Sequence, residues 1–181
     1  MQEIREIAVI GAGAIGAVYG SLLHAAYPGR VRFVADRARA ERLAASGVVI
    51  NGASHAVPAA SPQTLEVQPD LIIVAVKYHH LPATMELIDA IRRPDTIVLS
   101  ILNGIDSEEI IASHIGWDHV LYGMALAIDA VRTGNEITVS SNGTIYLGRA
   151  ENTDVDAEVA AVRDVLAGAG ISVEVPENML R

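Results

Sequence analysis

Short unbroken apolar runs alternate with segments of helical spacing through the first part of the chain. Ile7-Ala8-Val9-Ile10 is wholly apolar, Asp70-Leu71-Ile72-Ile73-Val74-Ala75-Val76 is nearly so, and Thr96-Ile97-Val98-Leu99-Ser100-Ile101 is another run of the kind. Such runs mark strands buried on both faces, as in a parallel sheet. Val31-Arg32-Phe33-Val34-Ala35 reads as a further strand. Between these runs, Ile15, Val18, Tyr19, Leu22, Leu23 and Ala26 predict a helix from about Ala14 to Ala26, ended by Pro28-Gly29. Arg39 to Ser46 predicts a short helix stopped by Gly47. Leu81, Met85, Ile88 and Ile91 form another helical stripe, with Pro82 tolerated in its first turn. Asp106-Ser107-Glu108-Glu109 reads as a capping box before a short helix to about His114. Val48 to Val57 predicts a hairpin turning at Asn51-Gly52.

The alternation then changes. Val120 to Ala127 is strand-like, and Glu136 to Ser141 and Thr144 to Gly148 flank Asn142-Gly143. That arrangement predicts a second hairpin turning at Asn142-Gly143. Asp154 to Ala167 predicts a helix ended by Gly168, and Ile171 to Val175 a last strand. The order of elements defines an α/β fold of one domain over residues 1–181. Its sheet is doubly wound and mostly parallel, with antiparallel additions at one edge.

Chemistry enters at Gly11-Ala12-Gly13-Ala14-Ile15-Gly16, which follows the first strand and opens the first helix. Each glycine of this G-x-G-x-x-G spacing has a reason. Gly11 allows the sharp turn, Gly13 lets a pyrophosphate approach the backbone, and Gly16 lets helix and strand pack closely. The helix N-terminus then faces the anion. Asp36-Arg37 ends the second strand, where such a fold meets the adenosine ribose. Lys77 follows the run ending in Val76, and Asn103-Gly104 follows Leu102, so both lie at strand ends beside the same crevice.

Bulk properties narrow the reading. The formal net charge of −9 disfavours nonspecific nucleic-acid binding. The absence of cysteine excludes disulfides and thiolate metal sites. His79-His80 are adjacent and diverge, so no metal site is expected. No apolar run is long enough to span a bilayer, and a cytoplasmic protein is expected.

The series Gly11 to Gly16, Val76-Lys77, Leu102-Asn103-Gly104 and Ile145-Tyr146-Leu147-Gly148 resembles the N-terminal, Rossmann-type domain of the ketopantoate reductases (2-dehydropantoate 2-reductases). The resemblance covers essentially the whole chain. It implies hydride transfer from NADPH to the 2-oxo carbon of ketopantoate, giving the pantoate used in pantothenate and coenzyme A synthesis. By the same resemblance Gly11, Ala12, Gly13, Ala14, Ile15 and Gly16 bind the pyrophosphate. Lys77 lies near the 2′-phosphorylated ribose, Asn103 near the nicotinamide, and Ala130 makes a backbone contact. It also implies a helical C-terminal domain that supplies the general-acid lysine beyond Arg181.

One position departs from the family, which usually has arginine where Asp36 stands. An acid there suits the ribose hydroxyls of NAD and repels a 2′-phosphate. Arg37, Lys77 and the resemblance point to NADP, against Asp36, and NADP is the expected cofactor, with NAD not excluded. The expected partner is a small 2-oxo acid, and a homodimer is left open. The alternatives are a dinucleotide-sensing module without catalysis and a reductase of a different branched 2-oxo acid.

Overall fold

The computed structural model describes residues 3–102 and 106–180. It contains ten strands and five α-helices among the described residues. In chain order these are β1 (Ile7–Ile10), α1 (Ala14–Ala26), β2 (Val31–Val34), α2 (Arg37–Ser46), β3 (Val48–Ile50), β4 (Ala53–His55), β5 (Ala59–Ala60) and β6 (Leu71–Val74). They continue with α3 (Leu81–Ile91), β7 (Ile97–Ser100), α4 (Asp106–Ile115), β8 (Val120–Thr133), β9 (Glu136–Gly148), α5 (Ala157–Gly168) and β10 (Ser172–Glu174).

The strands form one sheet in the order β4-β3-β9-β8-β7-β6-β1-β2-β5, with β10 pairing β9. From β5 to β8 every pairing is parallel. The apolar runs therefore lie where the sequence places them, in strands covered on both faces. One face packs Val9, Ile73, Leu99 and Leu121 under Val18 and Leu23 of α1 and Val162 and Leu166 of α5. The other packs Ile10, Ile72, Val74 and Val98 under Leu81, Met85 and Ile88 of α3 and Ile111 of α4. Because β1 lies between β2 and β6, the chain winds outward from β1 in both directions, which leaves a crevice at the carboxyl ends of β1 and β6.

The β3–β4 hairpin turns at Asn51 (φ 48°) and Gly52 (φ 77°), as its Asn-Gly signal predicts. Asn51 also locks onto β9, donating to the Val139 carbonyl at 2.9 Å and accepting from the Val139 N–H at 2.8 Å. The second hairpin differs from expectation. Asn142-Gly143 lies inside β9, and the chain reverses at Gly134-Asn135, with Thr133 opposite Glu136. Gly143 (φ 64°) instead stands across from Ala127 (φ 55°), and the register shifts between Asp129 and Ala130. Left-handed residues facing each other bend the ribbon rather than end it. A Cβ on Gly143 would lie 2.3 Å from the Leu126 carbonyl oxygen, so the bend requires glycine. Beyond it, β9 leaves the parallel sheet and pairs with β3 at Glu136 and Ile137.

A second correction falls at α4. Asp106 is already helical rather than the cap of α4, and Glu108 is the acid of this stretch that is buried. Glu108 is 1% exposed and accepts from Ser107 Oγ at 2.7 Å and from Gly123 N at 3.1 Å. The Ser107 hydroxyl also meets Ser100 Oγ at 2.8 Å, tying the end of β7 to α4. Burial pushes the Glu108 carboxyl above its ordinary pKa, against the opposing pull of Ser107 and Gly123. An acid whose pKa is raised by folding favours the protonated native state, so stability falls as pH rises from the unfolded to the folded pKa. In Glu108→Gln the amide oxygen can accept from Gly123 N while the amide nitrogen donates to Ser107 Oγ, with no charge. The variant is expected to be more stable than the parent at about pH 8 and to lose that slope, as read by urea unfolding from about pH 5 to about pH 8. Lower stability of the glutamine variant across that range would contradict this.

Candidate cofactor site

The crevice begins where β1 ends. Gly11 turns the chain with φ 106°, and a Cβ there would lie 2.6 Å from the Ala75 carbonyl oxygen. Gly16, in the first part of α1, is closer still: its Cβ would lie 1.9 Å from the Gly11 carbonyl oxygen. Both glycines are demanded by packing of the loop against itself and β6.

Gly13 is different. Its φ of −70° and ψ of −163° are open to any residue, and a Cβ there would meet nothing within 4 Å. Neither conformation nor packing requires a glycine, and the space it leaves faces outward. Gly13 is also the N-cap residue of α1, so no side chain caps that helix, and its first turn holds no acid. The first N–H groups of α1 therefore have no side-chain partner, at the positive end of the helix dipole. An anion held there would satisfy them.

A cleft of about 480 Å³ opens beside this loop, walled by Gly11, Ala12, Ala35, Asp36, Arg39, Val76, His80, Thr84 and Leu87. Its size and its mixed apolar and polar wall suit a nucleoside. Asp36 stands at its edge with a side chain 63% exposed. Its Oδ1 caps α2 by accepting from the Arg39 N–H at 2.9 Å, and its Oδ2 is 3.9 Å from Arg39 Nε. Arg37 lines the same cleft. Its guanidinium lies along α2 and pairs with Glu41 at 2.9 Å, with the side chain 80% exposed.

Lys77 is exposed and precedes one turn of 3₁₀ helix, Tyr78–His80. It lies near His80, whose imidazole is held below its ordinary pKa first by desolvation and then by the charges of His79, Arg39 and Lys77. Asn103 lies outside the described residues. Ala130 is half-buried on β8 at the register shift and packs against the core. Ala14 and Ile15 are likewise partly buried against the core, while Ala12 lines the cleft.

One residue at the loop escapes a reading of the sequence. Arg132, on β8, donates from Nη1 to the Ala12 carbonyl. Its separation of 120 residues from Ala12 offers no local signal, and only the bend of the β8–β9 ribbon brings it there.

Fold and crevice together define a dinucleotide-binding domain. Comparison with known proteins narrows the class: the profile described as ketopantoate reductase PanE/ApbA matches residues 7–152, and the chain belongs to that family. A 2-dehydropantoate 2-reductase of Streptococcus pyogenes serotype M6 is 25% identical over 138 residues, covering 75% of this chain and 45% of that protein. Among solved structures, a 2-dehydropantoate 2-reductase from Methylococcus capsulatus is 30% identical with a TM-score of 0.78, covering 96% of this chain and 57% of that one. A D-mandelate dehydrogenase bound to NADH and anilino(oxo)acetate is 26% identical with a TM-score of 0.82, covering 97% and 58%. The chain thus spans about half the length of the curated relatives it matches. Among the described residues, no helix is long and apolar enough to cross a membrane, and no cluster of three or more His, Asp or Glu could hold a metal ion.

Proposed function

We propose that this chain is the cofactor-binding part of an NAD(P)H-dependent reductase that converts a 2-oxo acid to its 2-hydroxy acid, with ketopantoate as the substrate and pantothenate synthesis as the setting. The observation that carries this reading is Gly13, a glycine that neither conformation nor packing requires, at the uncapped N-terminus of α1. Gly11 to Gly16 bind the pyrophosphate, the cleft takes the adenosine, and Asn103 reaches the nicotinamide half. The general-acid lysine is assigned beyond Arg181, because Lys77, the one lysine of the sequence, stands near His80 at the adenosine side.

A second substrate reading has its own support. The D-mandelate dehydrogenase likeness favours an aromatic 2-oxo acid. Comparing ketopantoate with phenylglyoxylate as substrates of the enzyme carrying the helical domain separates the two.

For the cofactor we favour NADH, against the NADPH that the family resemblance implies. Asp36 walls the cleft with a carboxylate suited to ribose hydroxyls, and the D-mandelate dehydrogenase relative holds NADH. The test is titration of the purified 181-residue polypeptide with NADH by calorimetry or nicotinamide fluorescence. Binding is expected, without NADH oxidation when ketopantoate is added, because a positioned general acid contributes typically ~10²–10⁴-fold. Failure to bind either dinucleotide at about 1 mM, where binding free energy falls to about 4 kcal/mol, would remove the reading. Robust turnover would move the acid into this chain.

A further inference from the structure

We infer that Arg132 is a ligand of the cofactor's pyrophosphate, carried over the glycine loop by the β8–β9 ribbon. The inference rests on the cofactor reading above and adds a residue to it. The loop itself supplies no cation, since Ala12, Gly13, Ala14 and Ile15 offer only backbone N–H groups. A pyrophosphate on those groups carries two negative charges and is better held with a guanidinium, whose planar fork matches phosphate oxygens.

Arg132 is the guanidinium that reaches this place. Its Nη1 donates to the Ala12 carbonyl, and its Nε donates to the Gly134 carbonyl at 3.0 Å. Gly134 (φ 62°) begins the turn of its own hairpin, so the side chain is braced by the ribbon tip at one end and the loop at the other. Among the described residues Nη2 has no hydrogen-bond partner, and Arg132 makes no ion pair. The acids nearest in the ribbon are otherwise disposed. Asp129 accepts from Ser140 Oγ, and Glu136 faces Thr133 across the turn. An unpaired cation on a chain of net charge −9, held against an anion-ready helix N-terminus, is placed for a ligand rather than for the protein's own acids.

The ribbon is built to deliver it. Leu121 is the last residue of β8 paired with β7, and the ladder to β9 is interrupted at the left-handed residues Ala127 and Gly143 before it resumes towards Arg132.

The competing role is a staple that only pins the hairpin to the loop. Binding of ADP-ribose, which keeps the pyrophosphate, and of adenosine, which lacks it, separates the two roles in the parent protein, Arg132→Gln and Arg132→Lys. If Arg132 holds the pyrophosphate, Arg132→Gln weakens ADP-ribose roughly 10-fold or more, as for a lost charge-assisted contact, and leaves adenosine unchanged. Arg132→Lys recovers part of the loss, and the salt dependence of ADP-ribose binding is shallower in the glutamine variant. Equal weakening of both ligands with a lowered thermal midpoint would show a staple and overturn the inference. An unchanged affinity for ADP-ribose would overturn it as well, with the cofactor reading intact. If the parent protein binds neither ADP-ribose nor NADH, the cofactor reading fails and this assignment with it.

Discussion

Gly16→Val is expected to destabilise the domain and abolish dinucleotide binding together. The added Cβ would need space now filled by the Gly11 carbonyl at 1.9 Å and by the Ala75 side chain at 3.0 Å. Rotamer changes cannot relieve a clash with backbone, so α1 must retreat from β1 and β6. That movement uncovers Val18 and Leu23, which pack into the core on the same helix. Overpacking of this kind costs at least ~3 kcal/mol, or roughly 6–12 °C in thermal midpoint for a chain of this size. Gly13→Ala is the informative partner, because its methyl group enters open space. Its thermal midpoint should fall only by about 2–4 °C, the roughly 1 kcal/mol cost of alanine at an N-cap, while NADH affinity falls roughly 10- to 150-fold through lost backbone hydrogen bonds to the pyrophosphate. Scanning calorimetry and NADH titration on both variants decide the matter. If Gly13→Ala binds NADH as the parent does, the open space at that glycine is not a phosphate site.

Asp36→Asn is expected to erase the distinction between NADH and NADPH. Asp36 serves two tasks in the structure, capping α2 through Oδ1 and presenting Oδ2 at the edge of the cleft. Asparagine caps a helix as well as aspartate does, so stability should not change. The charge, however, is lost. A carboxylate accepts strongly from two ribose hydroxyls and repels a 2′-phosphate, whereas an amide does neither to the same degree. NADH affinity should fall about 10-fold while NADPH affinity rises, for a charge-assisted contact of roughly 1.5–3 kcal/mol. Arg39, whose Nε is 3.9 Å from the carboxylate, would then be free to meet the phosphate. Competitive titrations of the two cofactors read the effect directly. Tighter binding of NADPH than NADH by the parent protein would reverse the assignment and return Lys77 and Arg37 to the 2′-phosphate.

Wherever one stretch of chain carries its own instruction, sequence and structure agree. The runs at Ile7–Ile10, Leu71–Val74 and Ile97–Ser100 become β1, β6 and β7 because a continuous apolar run has nowhere to go except between two layers of helices. The helix from Ala14 to Ala26 matches residue for residue. The turn at Asn51-Gly52 forms because both residues tolerate positive φ. The doubly wound order follows from the alternation of these elements, and with it the crevice.

Asn142-Gly143 shows the limit of such signals. The same dipeptide chemistry permits a turn or a bend, and which one forms depends on what lies across the ladder, here Ala127. Gly134-Asn135 carries a comparable turn signal and takes the reversal instead. At the ribose end, Asp36 and Arg37 both line the cleft, and the start of α2 at Arg37 sets its guanidinium beside Glu41 one turn on. The inward turn of Glu108, and not Glu109, depends on Gly123 and Ser107 being there to receive it. Local pattern alone therefore determined the strands, the helices and the glycine loop, since each is set by backbone conformation and burial within a few residues. Tertiary structure decided where the long ribbon bends, which arginine reaches the loop and which carboxylate is buried, because those depend on contacts between residues far apart in the chain, where no periodicity or spacing can act.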